Sequence, residues 1–111
     1  MNTYAIWVDL RDSREDLAFC DAVDAFLGSL KSQGLLESFT LERRKFGFSP
    51  EGLGEFHVRI QTKTLDQLDQ AFHHAATRSG EIESLHANVF SRVVNFKSAL
   101  YRSFPDEVRV R

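Results

Sequence analysis

Between positions 3 and 10, apolar residues alternate with other residues, and a helical pattern follows at once. Tyr4, Ile6, Val8 and Leu10 occupy every second position of this stretch. Successive side chains of a β-strand point to opposite sides, so the spacing predicts a strand with one apolar face. Such a face has to be covered by another layer of secondary structure. The chain is therefore expected to build a sheet with helices packed on one side.

The covering layer begins with a helix expected over residues 13–33. Asp12 or Ser13 is suited to cap its first turn, since an acidic residue follows three positions later. Gly34 is suited to end it, because helices commonly stop at a glycine. Cys20 falls in the apolar stripe, which predicts a buried structural thiol. The stripe consists of Leu17, Cys20, Val23, Phe26, Leu27 and Leu30.

The next segments predict a hairpin and a second helix. Two β-prone runs cover residues 36–46 and 53–61, and a loop rich in turn-forming residues connects them. Thr64 and Gln67 form a second capping box at the start of an amphipathic stretch. The helix that follows is expected to end at Gly80.

The end of the chain completes a familiar order of elements. Ile82 and Leu85 predict an extra short helix, and a last strand is expected within residues 90–101. This order predicts an α+β ferredoxin-like βαββαβ sandwich with a four-stranded antiparallel sheet in the order 4-1-3-2. A length of 111 residues fits one domain. We expect a single domain over residues 1–111, with a charged, mobile tail at 106–111.

Composition argues against several classes of function. Charged residues make up 27% of the chain, the formal net charge is −2, and both signs are interspersed. The basic surface of a nucleic-acid-binding protein is therefore not expected. Cys20 is the only cysteine, so neither an intrachain disulfide nor a thiolate metal cage can form. No metal or cofactor is predicted. No apolar run is long enough for a membrane span and no secretory signal is visible, so a cytoplasmic location is expected.

The sheet face away from the helices has an unusual combination of side chains. Opposite charges can meet across the hairpin, with Glu42 opposite either His57 or Arg59. Trp7, a large aromatic residue among charges, is typical of a surface that a partner covers. A homodimer through this face is expected; a solvated face is the alternative. Parity places these residues there: Ala5, Trp7, Asp9, Thr40, Glu42, Arg44, Glu55, His57, Arg59 and Gln61.

This face also offers a candidate pocket for a small molecule. Trp7 would form an apolar wall of the pocket. Arg44 and Arg59 would hold a carboxylate or an enolate-like oxygen through charge-assisted hydrogen bonds. The residue types therefore predict a small amphipathic or anionic organic ligand.

His57 is the candidate catalytic residue of the same pocket. An imidazole can move a proton near neutral pH, and Asp9 or Glu42 would orient the ring. The pattern fits a binding protein. A proton-transferring enzyme and a purely structural dimerisation module remain the alternatives.

The element order and two segments resemble the dimeric α/β-barrel superfamily of ferredoxin-like proteins. Residues 34–41 look like that family's connection from the first helix into the second strand, and His86 looks like the histidine of its stress-responsive members. The chain looks most similar to an uncharacterised bacterial branch. The resemblance implies a dimer with a cavity between paired sheets, and it adds His86 to the candidate ligand-binding residues. Members include cofactor-independent monooxygenases, isomerases and haem-binding proteins, so the fold does not choose among them.

Overall fold

The computed structural model describes residues 1–77 and 80–105. The predicted mobile tail at 106–111 lies outside these described residues. The elements follow one another as β1 (Asn2–Leu10), a 3₁₀ turn (Ser13–Glu15), α1 (Asp16–Ser32), β2 (Ser38–Arg43), β3 (Phe56–Thr62), α2 (Leu65–Ala75), α3 (Gly80–Phe90) and β4 (Val93–Arg102).

The strands form one antiparallel sheet in the order β2-β3-β1-β4. This is the predicted order counted from the other edge, so the ferredoxin-like prediction is confirmed. Leu41 lies opposite Val58, and Glu42 lies opposite His57, which decides between the two predicted registers. The helices cover one side of the sheet, and we call the other side the open face. It comprises Thr3, Ala5, Trp7, Asp9, Thr40, Glu42, Arg44, Glu55, His57, Arg59, Gln61, Lys97, Ala99 and Tyr101.

The core lies between the sheet and the helices. Phe19 of α1 packs edge-to-face on Phe56 of β3, with ring centroids 5.2 Å apart. The strand residues of the predicted apolar parity all belong to this core or pack at its margin. Its buried members are Ile6, Val8, Phe19, Ala22, Val23, Phe26, Leu27, Leu30, Leu36, Phe56, Val58, Ile60, Ile82, Val89 and Val93.

Helix α1 buries Val23, Phe26, Leu27 and Leu30 of its predicted stripe, but its first turns differ from the prediction. Asp12 caps the 3₁₀ turn through Arg14 N, and the α-helix itself begins only at Asp16. The prediction that Cys20 is buried is wrong, because its thiol is only half-buried, and Leu17 is 77% exposed. Phe19 takes the central position instead. Its larger ring removes more apolar surface from water than the thiol would.

The C-terminal end of α1 agrees with the prediction. Gly34 has a φ of +77°, a conformation that glycine adopts without strain. Its N–H donates to the carbonyl of Lys31, and the N–H of Leu35 donates to the carbonyl of Leu30. These two bonds form a Schellman motif, which satisfies the last carbonyls of the helix.

Helix α2 begins as predicted but ends early. The N–H of Gln67 donates to Thr64 Oγ1 over 3.0 Å, which forms the expected cap. The helix stops at Ala75, and Gly80 is the first residue of α3 rather than the end of α2. Gly80 has a φ of +68°, a conformation that suits glycine, but it stands at the start of α3, so the prediction that it ends α2 is wrong.

Strand β4 contains a bulge that explains its ambiguous sequence pattern. Trp7 pairs with Lys97, but Asp9 pairs with Val94, so the register shifts between these pairs. Asn95 sits in the shift with a φ of +58°, a left-handed conformation that asparagine tolerates better than most residues. The alternation of side chains is interrupted there, and no single parity describes the strand.

The connection between β2 and β3 is longer than predicted, and we call residues 44–55 the arm. The N–H of Arg44 donates to the carbonyl of Glu55 over 2.7 Å, which closes its base. Gly54 lies so close to β1 that an added Cβ would be 2.5 Å from the backbone of Val8. Lys97 Nζ donates to the carbonyl of Gly52. The arm is therefore fastened to both β1 and β4.

Candidate functional site

The centre of the open face is a stacked pair of aromatic rings. Trp7 of β1 and His57 of β3 are direct cross-strand partners. Their ring centroids are 4.6 Å apart and their planes differ by 6°. Both residues are half-buried. Direct pairing on neighbouring strands fixes this stack, because opposed antiparallel residues point to the same side of the sheet.

The surroundings of His57 lower its pKa and so favour the neutral imidazole. Partial burial lowers the pKa of His57 and the Arg59 charge lowers it too, whereas Glu42 acts in the opposite direction. Glu42 Oε1 lies 3.8 Å from His57 Nδ1, too far for a hydrogen bond. Nε2 is buried and has no hydrogen-bond partner. One nitrogen of the ring therefore has no hydrogen-bond partner, which is rare for a buried polar atom.

A groove of about 260 Å³ opens beside the stack, between the sheet and the arm. Trp7 and His57 lie on the sheet side, and the arm contributes apolar residues on the other side. Glu42 and Arg44 contribute the nearest opposite charges. The lining residues are Trp7, Glu42, Arg43, Arg44, Phe48, Ser49, Pro50, Leu53, Gly54, Glu55 and His57.

The arginines near the groove have different tasks. Arg43 Nε binds Glu55 over 2.7 Å and its Nη1 binds Asp16 over 3.1 Å, so its charge is already paired. Arg44 Nη1 donates to the carbonyl of Leu53 at 3.3 Å. Arg59 is exposed and has no ion-pair partner among the residues that the structure describes. Arg44 and Arg59 therefore keep charge that a ligand could use.

Asp9 has a structural role that its position on the open face did not reveal. Its Oδ1 accepts the N–H of Glu55 at 2.9 Å, and its Oδ2 accepts Asn95 Nδ2 at 3.0 Å. The backbone hydrogen bond from Glu55, followed by the one from Asn95, lowers the pKa of the carboxyl group. Asp9 therefore joins the arm to the β4 bulge. Of the two carboxylates that were predicted to orient His57, Glu42 is the one near the ring.

His86 is separated from the other candidates by the sheet. It lies on α3, where its ring packs against Phe26 and Phe90 at centroid distances of 5.3 and 4.5 Å. Burial lowers its pKa. The structure thus brings Trp7, Glu42, Arg44 and His57 together, places Arg59 beside them, and puts His86 on the helix side.

Two small apolar cavities lie on the helix side, and sequence patterns did not predict them. One has a volume of about 50 Å³ and the other about 100 Å³. His86 lines the larger. The walls that the two share are formed by Ile6, Phe26, Leu27, Ile60 and Phe90. A cavity depends on how side chains of three elements fit together, which no local pattern encodes.

Within residues 1–77 and 80–105, no three His, Cys, Asp or Glu side chains are grouped so that they could hold a metal ion. Among the helices described there, none has the length and apolar character needed to cross a membrane.

Three solved structures have the same fold at low sequence identity. A dimeric ferredoxin-like protein of unknown function from Jannaschia has a TM-score of 0.68 at 8% identity, covering 92% of this chain and 98% of that one. A dimeric protein of unknown function and ferredoxin-like fold from Bacteroides fragilis has a TM-score of 0.63 at 11% identity, covering 92% of this chain and 95% of that one. The protein At3g17210 from Arabidopsis thaliana has a TM-score of 0.71 at 11% identity, covering 99% of this chain and 100% of that one. These likenesses establish the fold.

The family comparison covers the whole sequence. No curated protein matches the chain. The model of a family of unknown function, DUF6614, matches residues 1–111. The chain therefore belongs to the DUF6614 family.

Proposed function

We propose that the chain forms a homodimer through its open face and binds a small amphipathic molecule with an anionic group in the groove beside Trp7 and His57. The observation that carries this proposal is the stacked Trp7–His57 pair, half-buried at the centre of a charged sheet face. A partner that covers the face would turn the groove into a cavity between two sheets.

Two observations support the homodimer. An exposed sheet face normally carries polar side chains, whereas the centre of this one carries a tryptophan, the type most enriched at interface hot spots. The structural neighbours from Jannaschia and Bacteroides fragilis are both described as dimeric. A second copy would cover the two rings and exclude water from the groove.

The charges around the stack favour an anionic ligand. Glu55 pairs with Arg43, the oxygens of Asp9 accept hydrogen bonds from Glu55 and Asn95, and Glu42 is the carboxylate nearest His57 in an ion-pair contact. Arg44 and Arg59 supply two positive charges, and neither guanidinium forms an ion pair among the residues that the structure describes. A carboxylate would meet two guanidinium groups, and the apolar part of the ligand would lie on Trp7 and the arm.

Trp7 is the only tryptophan of the chain, so its fluorescence reports directly on the groove. We expect octanoate and benzoate to change the emission, whereas octanol and benzyl alcohol have little effect at the same concentration. The variant Arg59→Gln should weaken benzoate binding by about tenfold, which corresponds to roughly 1.4 kcal/mol. Arg14→Ala is the matched control, since Arg14 is exposed and pairs with Asp12.

Two outcomes would contradict this proposal. A monomer at micromolar concentration in analytical ultracentrifugation would contradict the homodimer. A dimer whose emission responds equally to acids and alcohols, or to neither, would contradict the anion site. A dimer whose emission responds to neither acids nor alcohols would be a dimerisation module without a ligand.

A second candidate function is proton transfer on a small aromatic molecule at the helix side. His86 is half-buried and lines an apolar cavity, and the burial that lowers its pKa keeps it neutral and able to accept a proton. The cavity that His86 lines has a volume of about 100 Å³, and the second cavity of about 50 Å³ lies against shared walls. Such a site would fit a cofactor-independent monooxygenase or isomerase, the enzymes that the resemblance to the dimeric α/β-barrel superfamily offers as an alternative.

Phenol is a suitable probe for this second candidate. We expect it to shift the imidazole resonances of His86 in NMR spectra and to leave those of His57 unchanged, because the sheet separates the two rings. Shifts at His57 alone would favour the open-face groove instead. Equal small shifts at every histidine would indicate unspecific binding and contradict both sites.

A cytoplasmic location is part of the proposal as well. It is supported by the single cysteine, because a chain in a reducing compartment needs no disulfide pair. Detection of the protein in the soluble fraction of gently lysed cells, rather than in a secreted fraction, would test it.

A further inference from the structure

Two aromatic side chains of the arm are almost fully exposed. Phe46 and Phe48 are 81% and 83% exposed. Their rings meet edge-to-face at a centroid distance of 6.4 Å, and Lys45 Nζ lies 5.2 Å from the centre of the Phe46 ring. Adjacent exposed phenylalanines are uncommon on a surface that faces only water, and they commonly mark an interaction site.

The arm is fastened so that Phe48 stands on the open-face side, with the Phe46 ring against it. Phe48 lines the same groove as Trp7 and His57. The hydrogen bond from Lys97, on the open-face side of β4, to the Gly52 carbonyl holds the arm at that side of the sheet. A second copy that covers the open face would therefore meet the arm.

The size of the open face indicates what the arm contributes. Strands spaced about 4.8 Å apart, with about seven paired residues of about 3.3 Å each, give a four-stranded face a projected area of roughly 450 Å². A stable dimer buries about 800 Å² from each partner. Two phenylalanines can bury about 150–250 Å² each. The two rings would therefore add substantially to the area that the face itself can bury in a dimer.

We propose that the arm is a dimer contact in which Phe46 and Phe48 of each copy pack on the other copy. The inference rests on the open-face homodimer proposed above. A two-fold dimer uses the same surface on both copies, so each interface would contain two arms. The groove that Phe48 lines would then have walls from both copies.

The test measures dimer dissociation by sedimentation equilibrium for the wild type and the double variant Phe46→Ser/Phe48→Ser. We expect the dissociation constant to rise at least 100-fold in the double variant. Both side chains are exposed, so the far-ultraviolet circular dichroism of the folded chain should stay unchanged. Phe104→Ser is the matched control, because Phe104 is equally exposed at 85% but lies beyond β4. Its dissociation constant should stay within threefold of the wild type.

A cross-linking experiment gives a readout independent of stability. The photoreactive analogue p-benzoylphenylalanine, placed at position 48, should yield a covalent dimer on illumination, and the same analogue at position 104 should not. A wild-type dimer with neither a weakened double variant nor a cross-link from position 48 would overturn the arm contact and leave the open-face dimer standing. A monomeric wild type would overturn both proposals.

Discussion

The two faces of the sheet are made by the same strands, yet they differ in the burial and polarity of their side chains. On the helix side, Ile6, Val58 and Ile60 are buried and purely apolar, and the chain itself supplies everything that covers them. On the open face, the next residues along the same strands, Trp7 and His57, are half-buried and stacked among charges. One side is complete within a single chain, and the other has features that a second molecule would complete.

This difference shows where fold and function are encoded. Alternate residues of β1 and β3 serve opposite purposes, because the side-chain period of a strand is two. A substitution on the helix side should change the free energy of unfolding. A substitution of Trp7 or Arg59 on the open face should change association or ligand binding more than the stability of the chain.

The largest expected effect tests the helix side. Phe19 is 1% exposed and packs on Phe56, so Phe19→Ala should lower the free energy of unfolding by about 3–5 kcal/mol. Leu17→Ala on the same helix should cost less than about 0.5 kcal/mol, since Leu17 is exposed. Urea denaturation measures both. A Trp7→Ala variant that loses as much stability as Phe19→Ala while monomeric would break the distinction between the faces.

The next effect concerns the close approach of the arm to β1. Gly54→Ala would place a Cβ against the backbone of Val8, and the resulting displacement should cost about 1–3 kcal/mol. Gly28→Ala in the middle of α1 meets no atom within 4 Å, so this control should be neutral or stabilising by up to about 1 kcal/mol. Thermal unfolding of the two variants gives the comparison. Equal melting temperatures would show that the arm does not depend on this contact.

A smaller effect is expected from Asp9, the carboxylate that joins the arm to the bulge. Its pKa is lower in the folded state than in the unfolded chain, so its contribution is present above the unfolded value of about 3.9 and is lost as pH falls through the folded pKa. Asp9→Asn should therefore lower stability by about 1–2 kcal/mol at pH 7.

The pH dependence separates this charge effect from simple loss of packing. The difference between the wild type and Asp9→Asn should shrink as the solution is made more acidic. Asp21→Asn, an exposed change on α1, should differ from the wild type by less than about 0.5 kcal/mol at neutral pH. A difference for Asp9→Asn that stays constant from pH 7 to pH 3 would contradict the assigned role of its charge.

The smallest effect is a change in the titration of His57, followed by NMR. Glu42→Gln should lower the pKa of His57 further, and Arg59→Gln should raise it, because their charges act in opposite directions. Since its folded pKa lies below the ordinary value of about 6.5, the stability that neutral His57 contributes is complete above that pH and is lost as pH falls through the folded pKa. Shifts of the same sign in both variants would contradict this electrostatic account.

Local patterns were sufficient for most of the fold. The alternation of β1, the glycine stop of α1 and the Thr64 cap of α2 depend on neighbouring residues alone, and the structure has all three. The side of α1 that faces the core was harder to predict. Phe19 and Cys20 are adjacent, and the choice between them depends on the shape of the sheet beneath.

The candidate site was predictable only where strand pairing decides it. Parity places Trp7 and His57 on one face, and the hairpin register adds Glu42. Asp9 was assigned to the wrong task because its partner Asn95 reaches it through a bulge, which alternation cannot predict. His86 lies on the opposite side of the sheet because α3 packs its ring on Phe26, a contact distant in sequence.

The bulge at Asn95 has a further consequence for the outer edge of the sheet. β4 is an edge strand of ten residues, and a long regular edge offers a row of unpaired N–H and C=O groups to any other extended chain. The left-handed residue and the register shift interrupt that row and increase the local twist. The residue that holds Asp9 in place thus also protects the protein against the edge-to-edge growth that leads to aggregation.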